Sequence, residues 1–383
     1  MAVERALPTS EAADLLDLTR EMAAKEVAPR AAADEEDGVF PREVFARLGA
    51  AGLLGLPYPA DYGGGEQPYE VYLQVIEELA GAWLAVGLGM SVHTLSCFPV
   101  AGYGTDAQRA ELLPDLLGGS LLGAYCLSEA HAGSDAAALS TRAAADPGGG
   151  YRVNGAKSWI THGGAADFYT LFARTGAAGP AGITCLHVPA ATPGVSAAPP
   201  EHKMGMRSSP TAAMRFEDAH LPPGSRIGAE GQGFAIALAA LDSGRLGIAA
   251  CAVGVAQAAL DLAAGYARER TQFGRPIGEH QGLGFLLADM ATKVEAARAL
   301  YLAAARRRDA GRPFGTQAAM AKLFASDAAM AVTTDAVQVL GGNGYTRDFP
   351  AERLMREAKV LQIVEGTNQV QRMVIARRLG EPG

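Results

Sequence analysis

The hydrophobic periodicity of the chain changes twice, near Leu121 and near Gly233. Before the first change and after the second, apolar residues recur three or four positions apart, which predicts helices. Between the changes lie short runs rich in β-branched and aromatic residues, such as FYTLFART, GITCLHVPA and TAAMRFEDAHLPP, which predict strands. We therefore expect a mainly α protein with three domains: an N-terminal helical domain (1–120), a central β-domain (121–230) and a C-terminal helical bundle (231–383).

Local signals predict where several elements begin and end. Ser10 is of a residue type that caps helix N-termini, and Pro29 should end this first helix. A second helix is predicted from about Pro41 to Ala51, and a short one from Thr105 to Leu117, where a glycine pair follows. Within the β-domain, Asn154-Gly155 stands between strand-like flanks and predicts a hairpin turn.

One helix of the C-terminal part is predicted to have a long buried face. Its apolar residues keep the spacing of one helix face: Leu283, Leu286, Leu287, Met290, Val294, Ala297 and Tyr301. The opposite face carries Asp289, Lys293 and Arg298, which we expect to be exposed. Faces of this kind commonly pack into a four-helix bundle, which can also carry subunit contacts.

Composition narrows the class of protein. Hydrophobic residues make up 49% and charged residues 19% of the 383, as in an ordinary folded protein, and the net charge of -8 argues against nucleic acid as the main partner. The seven histidines show no paired spacing, so we expect no metal site. The four cysteines are far apart in sequence, which predicts reduced, mostly buried thiols in a cytoplasmic protein: Cys97, Cys126, Cys185 and Cys251.

Two features bear on targeting. The N-terminus is acidic and lacks a basic region followed by an apolar one, which argues against export. The most apolar stretch, Phe234 to Ala264, is interrupted by Asp242 and Arg245, so no transmembrane span is expected.

Glu365 is the residue most suggestive of chemistry. It follows an apolar run that includes Val360 and Val364, and burial there would raise the pKa of its carboxyl towards neutrality, as suits a general base. Thr367 or Asn368 should cap a final helix, however, and a helix N-terminus favours the charged carboxylate. The sequence leaves open which effect prevails, and a capping carboxylate before a surface helix remains the alternative.

Further stretches have the composition of ligand contacts. YCLSEAHAGSD (Tyr125–Asp135) offers open backbone N–H groups to a flat ring or a phosphate, although such a segment is more often a polar turn. Trp159 and Thr161 should share one strand face and can hold a ring, although a core tryptophan is the alternative. Arg270 offers a fork for phosphate and Phe273 a stacking face, as a solvated helix end also would.

Taken together, these stretches resemble the acyl-CoA dehydrogenase family. The ordered set is YCLSEAHAGSD, NGAKSWIT, KMGMRSSPT, FEDAHLP, LDSGRLGIAACAVG, ERTQFGRPIGEHQ, QVLGGNGY and VEGTNQVQR. The resemblance covers nearly the whole chain, and the eight motifs in order are specific although each alone is weak. It implies an N-terminal helical domain, a central β-domain and a C-terminal four-helix domain.

The resemblance implies an FAD enzyme that desaturates an acyl-CoA thioester between Cα and Cβ. Glu365 then matches the base that removes the α-proton while the β-hydrogen leaves as hydride to flavin N5, and its backbone N–H and a flavin ribityl hydroxyl hold the thioester carbonyl. Matching substrate contacts are Ser134, Asp242, Arg245 and Gly366. Matching FAD contacts are Tyr125, Leu127, Ser128, Gly133, Ser134, Trp159, Ile160, Thr161, Arg270, Phe273, Gln281, Gln338, Val339, Gly341, Gly342, Thr367 and Gln369.

The resemblance also bears on assembly and on the identity of the base. Some FAD contacts in the family reach a neighbouring subunit, which implies a homotetramer. Some branches carry the base immediately before the residue equivalent to Arg245, but this chain has Gly244 there, which leaves Glu365. His131 and His162 stand where the family often has other residues, and we expect both to be solvated or structural.

Several alternatives stay open. We expect electrons to pass to an electron-transfer flavoprotein, whereas an acyl-CoA oxidase would pass them to oxygen. An enzyme acting on acyl groups held by a carrier protein is another reading, while a monooxygenase on this fold usually lacks the glutamate. A flavin-free helical interaction protein would be a different class and would be colourless. The motifs do not indicate the length or branching of the acyl chain.

Overall fold

The chain folds as a helical N-terminal part, a central sheet and a helical C-terminal part. A computed structural model describes Val3 and residues 5–380. Within these residues the N-terminal helices are α1 (Ser10–Met22), α2 (Ala28–Asp37), α3 (Arg42–Ala50), α4 (Tyr69–Ala82), α5 (Leu84–Tyr103) and α6 (Asp106–Leu117). The C-terminal helices are α7 (Gly233–Glu269), α8 (Gln281–Asp309), α9 (Gly315–Leu340), α10 (Gly342–Tyr345), α11 (Ala351–Ala358) and α12 (Asn368–Gly380). The mainly α fold class with a central β-domain is confirmed.

The central sheet has eight strands with mixed pairing. The strands are β1 (Gly123–Cys126), β2 (Arg142–Ala145), β3 (Tyr151–Thr161), β4 (Phe168–Arg174), β5 (Ile183–Pro189), β6 (Val195–Ala197), β7 (Thr211–Leu221) and β8 (Arg226–Ile227). Their order is β6-β7-β3-β2-β4-β5-β8, and β1 pairs with β4 in parallel. A separate short hairpin joins β9 (Thr271–Gln272) to β10 (Arg275–Pro276) between α7 and α8.

The predicted boundaries of the first helices were partly wrong. Thr9, not Ser10, caps α1, since its Oγ1 accepts a hydrogen bond from the N–H of Ala12. Pro29 does not end the helical run, which passes through a π-helical turn at Ala23–Val27 and continues as α2. Pro29 lies in the first turn of α2, where its missing N–H would have no helical partner in any case.

The hairpin turn predicted at Asn154-Gly155 was also wrong. Both residues lie inside the single strand β3, which pairs with β7 through a bulge at this point. Gly155 allows a close backbone approach, because a Cβ atom there would lie 2.7 Å from Cα of Thr141. The glycine therefore accommodates the bulge and a neighbouring chain segment instead of a turn.

The buried face predicted for α8 is partly confirmed. Met290, Val294, Ala297 and Tyr301 are buried, whereas the leucines nearer the start of the helix are half-buried. The expectation that Arg298 is exposed was wrong, because its guanidinium is buried and donates to Glu77 of α4.

Helix α7 connects the parts of the fold that surround the candidate site. It packs against α4, α5, α8 and α9, and several of its small residues allow close helix approach. Both α5 and α7 are long and apolar enough to cross a membrane by composition, but 89% and 78% of their respective apolar windows are buried inside the protein. Both helices lie in the core of the protein. All four cysteines are free and buried, as predicted.

Candidate active site

Glu365 lies in a tight turn between the short helix Lys359–Gln362 and α12. Its backbone has φ of 53°, and Gly366 follows with φ of 88°. The left-handed region costs free energy for a residue with a side chain, so surrounding contacts must hold this turn. Thr367 caps α12 by accepting a hydrogen bond from the N–H of Val370, as one of the two predicted options required.

The carboxylate of Glu365 is enclosed although the residue as a whole is half-buried. Both of its oxygens are buried and have no hydrogen-bond partner among the described residues. Burial raises the pKa of the carboxyl to about 7, against the opposing charges of Lys322 and Arg245. The sequence had left burial and the helix N-terminus in balance, and in the structure burial prevails.

Gly244 of α7 makes room for this carboxylate. A Cβ atom at position 244 would lie 2.1 Å from Oε2 of Glu365 and 3.2 Å from Leu95 of α5. The absence of a side chain at Gly244 is therefore a geometric requirement for the present position of Glu365. Because Gly244 has no side chain, the position immediately before Arg245 cannot supply the alternative base.

A cavity opens beside Gly244 between α4, α5, α7 and the end of α8. Its empty volume is about 280 Å³, which includes open solvent at its mouth. Its wall combines apolar groups with several hydroxyls and one guanidinium, including Tyr58, Tyr69, Ser91, Thr94, Leu95 and Arg308. The carboxylate of Glu365, packed against Gly244, thus lies next to this partly polar space.

Asp242 and Arg245 lie one turn apart on α7, and the charge of Arg245 acts on the carboxylate of Glu365. Nη1 of Arg245 is 2.5 Å from Oδ1 of Asp242, and Nε of Arg245 is buried without a partner among the described residues. Burial raises the pKa of Asp242, and Arg245 opposes this. These two predicted substrate contacts therefore lie on either side of Gly244 in α7, while Ser134 is exposed on the β-domain.

A second group of predicted residues meets where the segment after β1 crosses β3. The N–H of Ser158 donates to the carbonyl of Ser128, and Nζ of the buried Lys157 donates to the carbonyl of Leu127 and to Glu129. Burial alone would raise the pKa of Glu129, but Lys157 and hydrogen bonds from Thr141 and Ser140 lower it to about 2. This ion pair fixes the 127–134 segment against β3.

Trp159 is exposed, contrary to its alternative interpretation as a core tryptophan. Its side chain is 63% exposed, and its φ of 63° interrupts the regular alternation of β3. Ile160 is buried and Thr161 is half-buried. Because the pairing of β3 shifts register between Lys157 and Ile160, strand alternation does not place Trp159 and Thr161 on one face, as had been expected.

A third group lies at one end of the helical bundle. Arg270, Phe273 and Gln281 surround the β9–β10 hairpin and are exposed, Phe273 to 95%. Tyr266 joins this hairpin to the glycine segment after α9, because its carbonyl accepts from the N–H of Arg270 and its hydroxyl accepts from Asn343. The predicted residues Gln338 and Val339 lie in the last turn of α9, and the predicted residues Gly341 and Gly342 follow in this glycine segment.

Comparison with known proteins decides the family. Family models of the acyl-CoA dehydrogenase N-terminal, middle and C-terminal domains match residues 9–120, 124–219 and 231–380. An acyl-CoA dehydrogenase of Bacillus subtilis is 45% identical over 97% of this chain and 98% of its own length. This chain belongs to the acyl-CoA dehydrogenase family.

Two solved structures of similar proteins extend this result. Butyryl-CoA dehydrogenase from Megasphaera elsdenii has a TM-score of 0.96 at 40% identity, covering 99% of this chain and 100% of the other. A chain from a study of the electron transferring flavoprotein of Acidaminococcus fermentans has a TM-score of 0.96 at 42% identity, with the same coverage. The acyl-CoA dehydrogenase family implies a flavin cofactor.

The predicted cofactor contacts of this acyl-CoA dehydrogenase family member fit a flat ring with a phosphate-bearing tail. A Cβ atom at Gly133, Gly341 or Gly342 would meet nothing within 4 Å, so these backbones border open space. Trp159 and Phe273 present exposed aromatic surface, on which a ring can stack. The remaining exposed polar positions of the predicted set are Ser134, Arg270, Gln281, Gln338 and Gln369.

Other members of the predicted set are oriented inward. Leu127, Ile160 and Val339 are buried, so their backbone atoms are the groups that a ligand would meet. The ring of Tyr125 packs against that of Phe172 in a tilted arrangement, and its hydroxyl donates to the carbonyl of Ala237. These side chains support the cofactor segments from within the protein.

The two unusual histidines have the roles that were expected. His162 is fully buried against Phe40 and Phe45, with Nδ1 bonded to the carbonyl of Gly123. His131 is exposed, with Nε2 at 3.7 Å from Glu129.

Sequence reasoning missed a buried polar cluster behind Glu365. Lys322 and Ser326 of α9 and Asn368 and Gln371 of α12 are buried and hydrogen-bonded to one another or to the turn. The signal for Lys322 was its position as a lone charge in the alanine-rich run AAMAKLFAS. An isolated lysine in such a run is expected to be exposed, unless a distant element supplies acceptors.

Proposed function

We propose that this chain catalyses the FAD-dependent α,β-dehydrogenation of an acyl-CoA thioester to the trans-2-enoyl-CoA, with Glu365 as the base that removes the α-proton. The observation that carries this proposal is the buried carboxylate of Glu365 beside the cavity, with no hydrogen-bond partner among the described residues. A carboxylate whose lone pairs are not engaged is available to accept a proton from a ligand.

The basicity of Glu365 suits this role. A general base is most effective when its pKa lies near the working pH, and burial raises the pKa of Glu365 to about 7. At neutral pH a large fraction of the carboxyl is ionised, yet it binds a proton far more readily than an ordinary glutamate does. The α-proton of a thioester needs such a base, because it is only weakly acidic.

The substrate carbonyl requires preorganised donors. In the proposed arrangement the backbone N–H of Glu365 donates to the thioester carbonyl as negative charge develops there. The left-handed turn at Glu365 and Gly366 sets the direction of that N–H, and hydrogen bonds from Lys322 and Gln371 to the Gly366 carbonyl hold the turn. When bound, the flavin supplies a two-electron acceptor for the β-hydrogen.

The acyl group and the electron acceptor are part of the same proposal. The similarity to a butyryl-CoA dehydrogenase favours a short acyl chain as the first substrate to test. The similarity to a chain from the electron transferring flavoprotein study supports such a flavoprotein as the acceptor.

A homotetramer in the cytoplasm is the proposed state of the enzyme. Large exposed apolar side chains on the C-terminal part are consistent with subunit contacts, among them Phe273, Phe285, Met373 and Leu379. Light scattering of the purified protein checks the tetramer, and the cytoplasmic location remains a prediction from the cysteine pattern.

Anaerobic bleaching of the flavin by a panel of acyl-CoAs tests the proposal. The purified protein should be yellow, and a short acyl-CoA should bleach it. Glu365→Gln should keep the colour and abolish bleaching, because the amide cannot accept the proton. The matched control is Glu357→Gln, since Glu357 is also buried and burial also raises its pKa to about 7, yet it pairs with Arg353 on α11.

The outcomes separate the alternatives. Persistent bleaching of Glu365→Gln at a rate comparable to wild type would show that another group is the base. Hydrogen peroxide formation in air at the turnover rate would identify an oxidase. A colourless protein that takes up no FAD would favour the remaining alternative, a flavin-free interaction protein.

A further inference from the structure

Lys322 is a buried charge in direct contact with the turn of the proposed base. Its side chain is completely buried in α9. Nζ donates to the carbonyl of Gly366 at 2.9 Å and to Oδ1 of Asn368 at 2.9 Å. Burying an ammonium group is strongly unfavourable, so contacts at this turn must offset the cost.

We propose that Lys322 is a positioning residue for Glu365, which holds the Glu365–Gly366 turn through the Gly366 carbonyl and supplies positive charge that favours the ionised carboxylate. This inference rests on the proposed function of Glu365 as the base.

The first part of the proposal follows from the backbone of the turn. Glu365 and Gly366 both have positive φ, and for Glu365 this conformation is strained. The Gly366 carbonyl accepts hydrogen bonds from Lys322 of α9 and from Gln371 of α12, at 2.9 and 2.8 Å. Gln371 also donates to the carbonyl of Glu365 at 3.3 Å. Two helices thus clamp the turn, and the clamp fixes where the carboxylate and the backbone N–H of Glu365 point.

The second part follows from how the nearby charges are paired. On α7, Arg245 is engaged by Asp242. On α9, Asp327 accepts from Arg372 and Asn368 of α12. The groups that Lys322 contacts in the described chain, in contrast, are the neutral oxygens of Gly366 and Asn368.

The charge of Lys322 is therefore not matched by a contacting carboxylate. Burial lowers the pKa of Lys322 to about 8, with a smaller contribution from the charge of Arg245, while the charges of Glu365 and, less strongly, Asp327 oppose this. Lys322 is then mostly protonated at neutral pH, and its field acts on the Glu365 carboxylate.

Two substitutions test this proposal. Lys322→Met keeps the length of the side chain but removes both the charge and the hydrogen-bond donors. Lys322→Arg keeps both. Lys25→Met is the matched control, because Lys25 is exposed on the N-terminal part and pairs with Glu21.

The main readout is the titration of the Glu365 carboxyl by infrared difference spectroscopy, with the corresponding Glu365→Gln protein as the reference. This measurement needs no substrate. The second readout is the pH dependence of kcat/KM, whose acid limb reports the base in the free enzyme.

Lys322→Met should titrate Glu365 at a higher pH than wild type, and the acid limb of kcat/KM should move with it. Its rate at the alkaline plateau should fall about tenfold or more, because the turn loses a charged hydrogen bond. Lys322→Arg should return the titration towards wild type, and Lys25→Met should leave both profiles unchanged.

An unchanged titration of Glu365 in a folded Lys322→Met protein would overturn the proposal. If that variant does not fold, Lys322→Gln replaces it, since it also lacks the charge. Failure of both neutral variants to fold would also overturn it, because Lys322 would then be a residue of the fold alone. Failure of the proposed function is distinguishable from failure of this proposal. In that case none of the acyl-CoAs would bleach the flavin of wild type, while the titration of Glu365 would still respond to substitution of Lys322.

Discussion

Replacing Gly244 with alanine should disable the proposed base without unfolding the protein. The new Cβ atom would lie 2.1 Å from Oε2 and 3.0 Å from Cδ of Glu365. A carbon and an oxygen make ordinary contact at about 3.3 Å, so the carboxylate must retreat by roughly 1 Å. A misplacement of about 1 Å can lower the rate of a positioned reaction about 100-fold. We therefore expect anaerobic flavin bleaching about 100-fold slower than in wild type.

The fold should tolerate the same substitution. The atoms that must move are the end of a flexible side chain, and alanine in a helix interior is favoured over glycine by about 0.5–1 kcal/mol. The melting temperature and the flavin content of Gly244→Ala should therefore match wild type. Gly265→Ala is the control in the same helix, because its Cβ would approach nothing closer than Arg268 at 3.9 Å.

A bleaching rate for Gly244→Ala within about threefold of wild type would refute this reasoning. It would mean that the carboxylate reaches the substrate from another position, so that the space above Gly244 is not required. A slow rate accompanied by lost flavin would instead mean that the substitution disturbs the domain.

Three further predictions concern stability. Glu365→Gln should be more stable than wild type by about 3 kcal/mol at pH 8, but not at pH 4. The pKa of the Glu365 carboxyl is about 7 in the folded protein and 4.5 ordinarily, so wild type loses stability as the pH rises from 4.5 to 7. Urea titrations at both pH values check this. Lys157→Met leaves Glu129 buried without its charge partner and should lower the free energy of unfolding by about 3–5 kcal/mol, with loss of bound FAD measured by absorbance. Burial lowers the pKa of His162 to about 4, so wild type should lose stability as pH falls from 6.5 to 4, and His162→Asn should lose about 3 kcal/mol less over that range in acid unfolding curves. If His162→Asn shows the same acid dependence, another group is responsible.

The sequence was sufficient for features that depend on local periodicity and motif order. The long helices and the strand-rich centre follow from apolar spacing, and residues 281–309, which carry the predicted buried face, form one helix. Glu365 was singled out from its apolar neighbours in the chain. Its enclosure, however, depends on α5 and α7, which are far away in sequence.

The incorrect predictions for Arg298 and Gly155 share one physical cause, which is contact between distant segments. Arg298 lies on a face that local spacing makes polar, but Glu77 on α4 provides a buried partner for it. Gly155 belongs to a dipeptide typical of turns, yet its missing side chain serves an approach to Thr141 across the sheet. Local propensity cannot distinguish these cases, because the partner is not in the local window.

The site combines several features that each disfavour the folded state. Glu365 has strained φ and an enclosed carboxylate, and Lys322 is a buried ammonium group behind it. A sequence selected for stability alone would remove all three, because apolar or neutral residues pack at lower cost in such positions. Their joint presence around one turn is explained if the turn must point a basic carboxylate at a ligand. On that account the two charges are coupled, because each single substitution removes their mutual attraction and the double substitution removes it only once. The double substitution Glu365→Gln with Lys322→Met should therefore give a more stable protein than the sum of the two single changes in the free energy of unfolding.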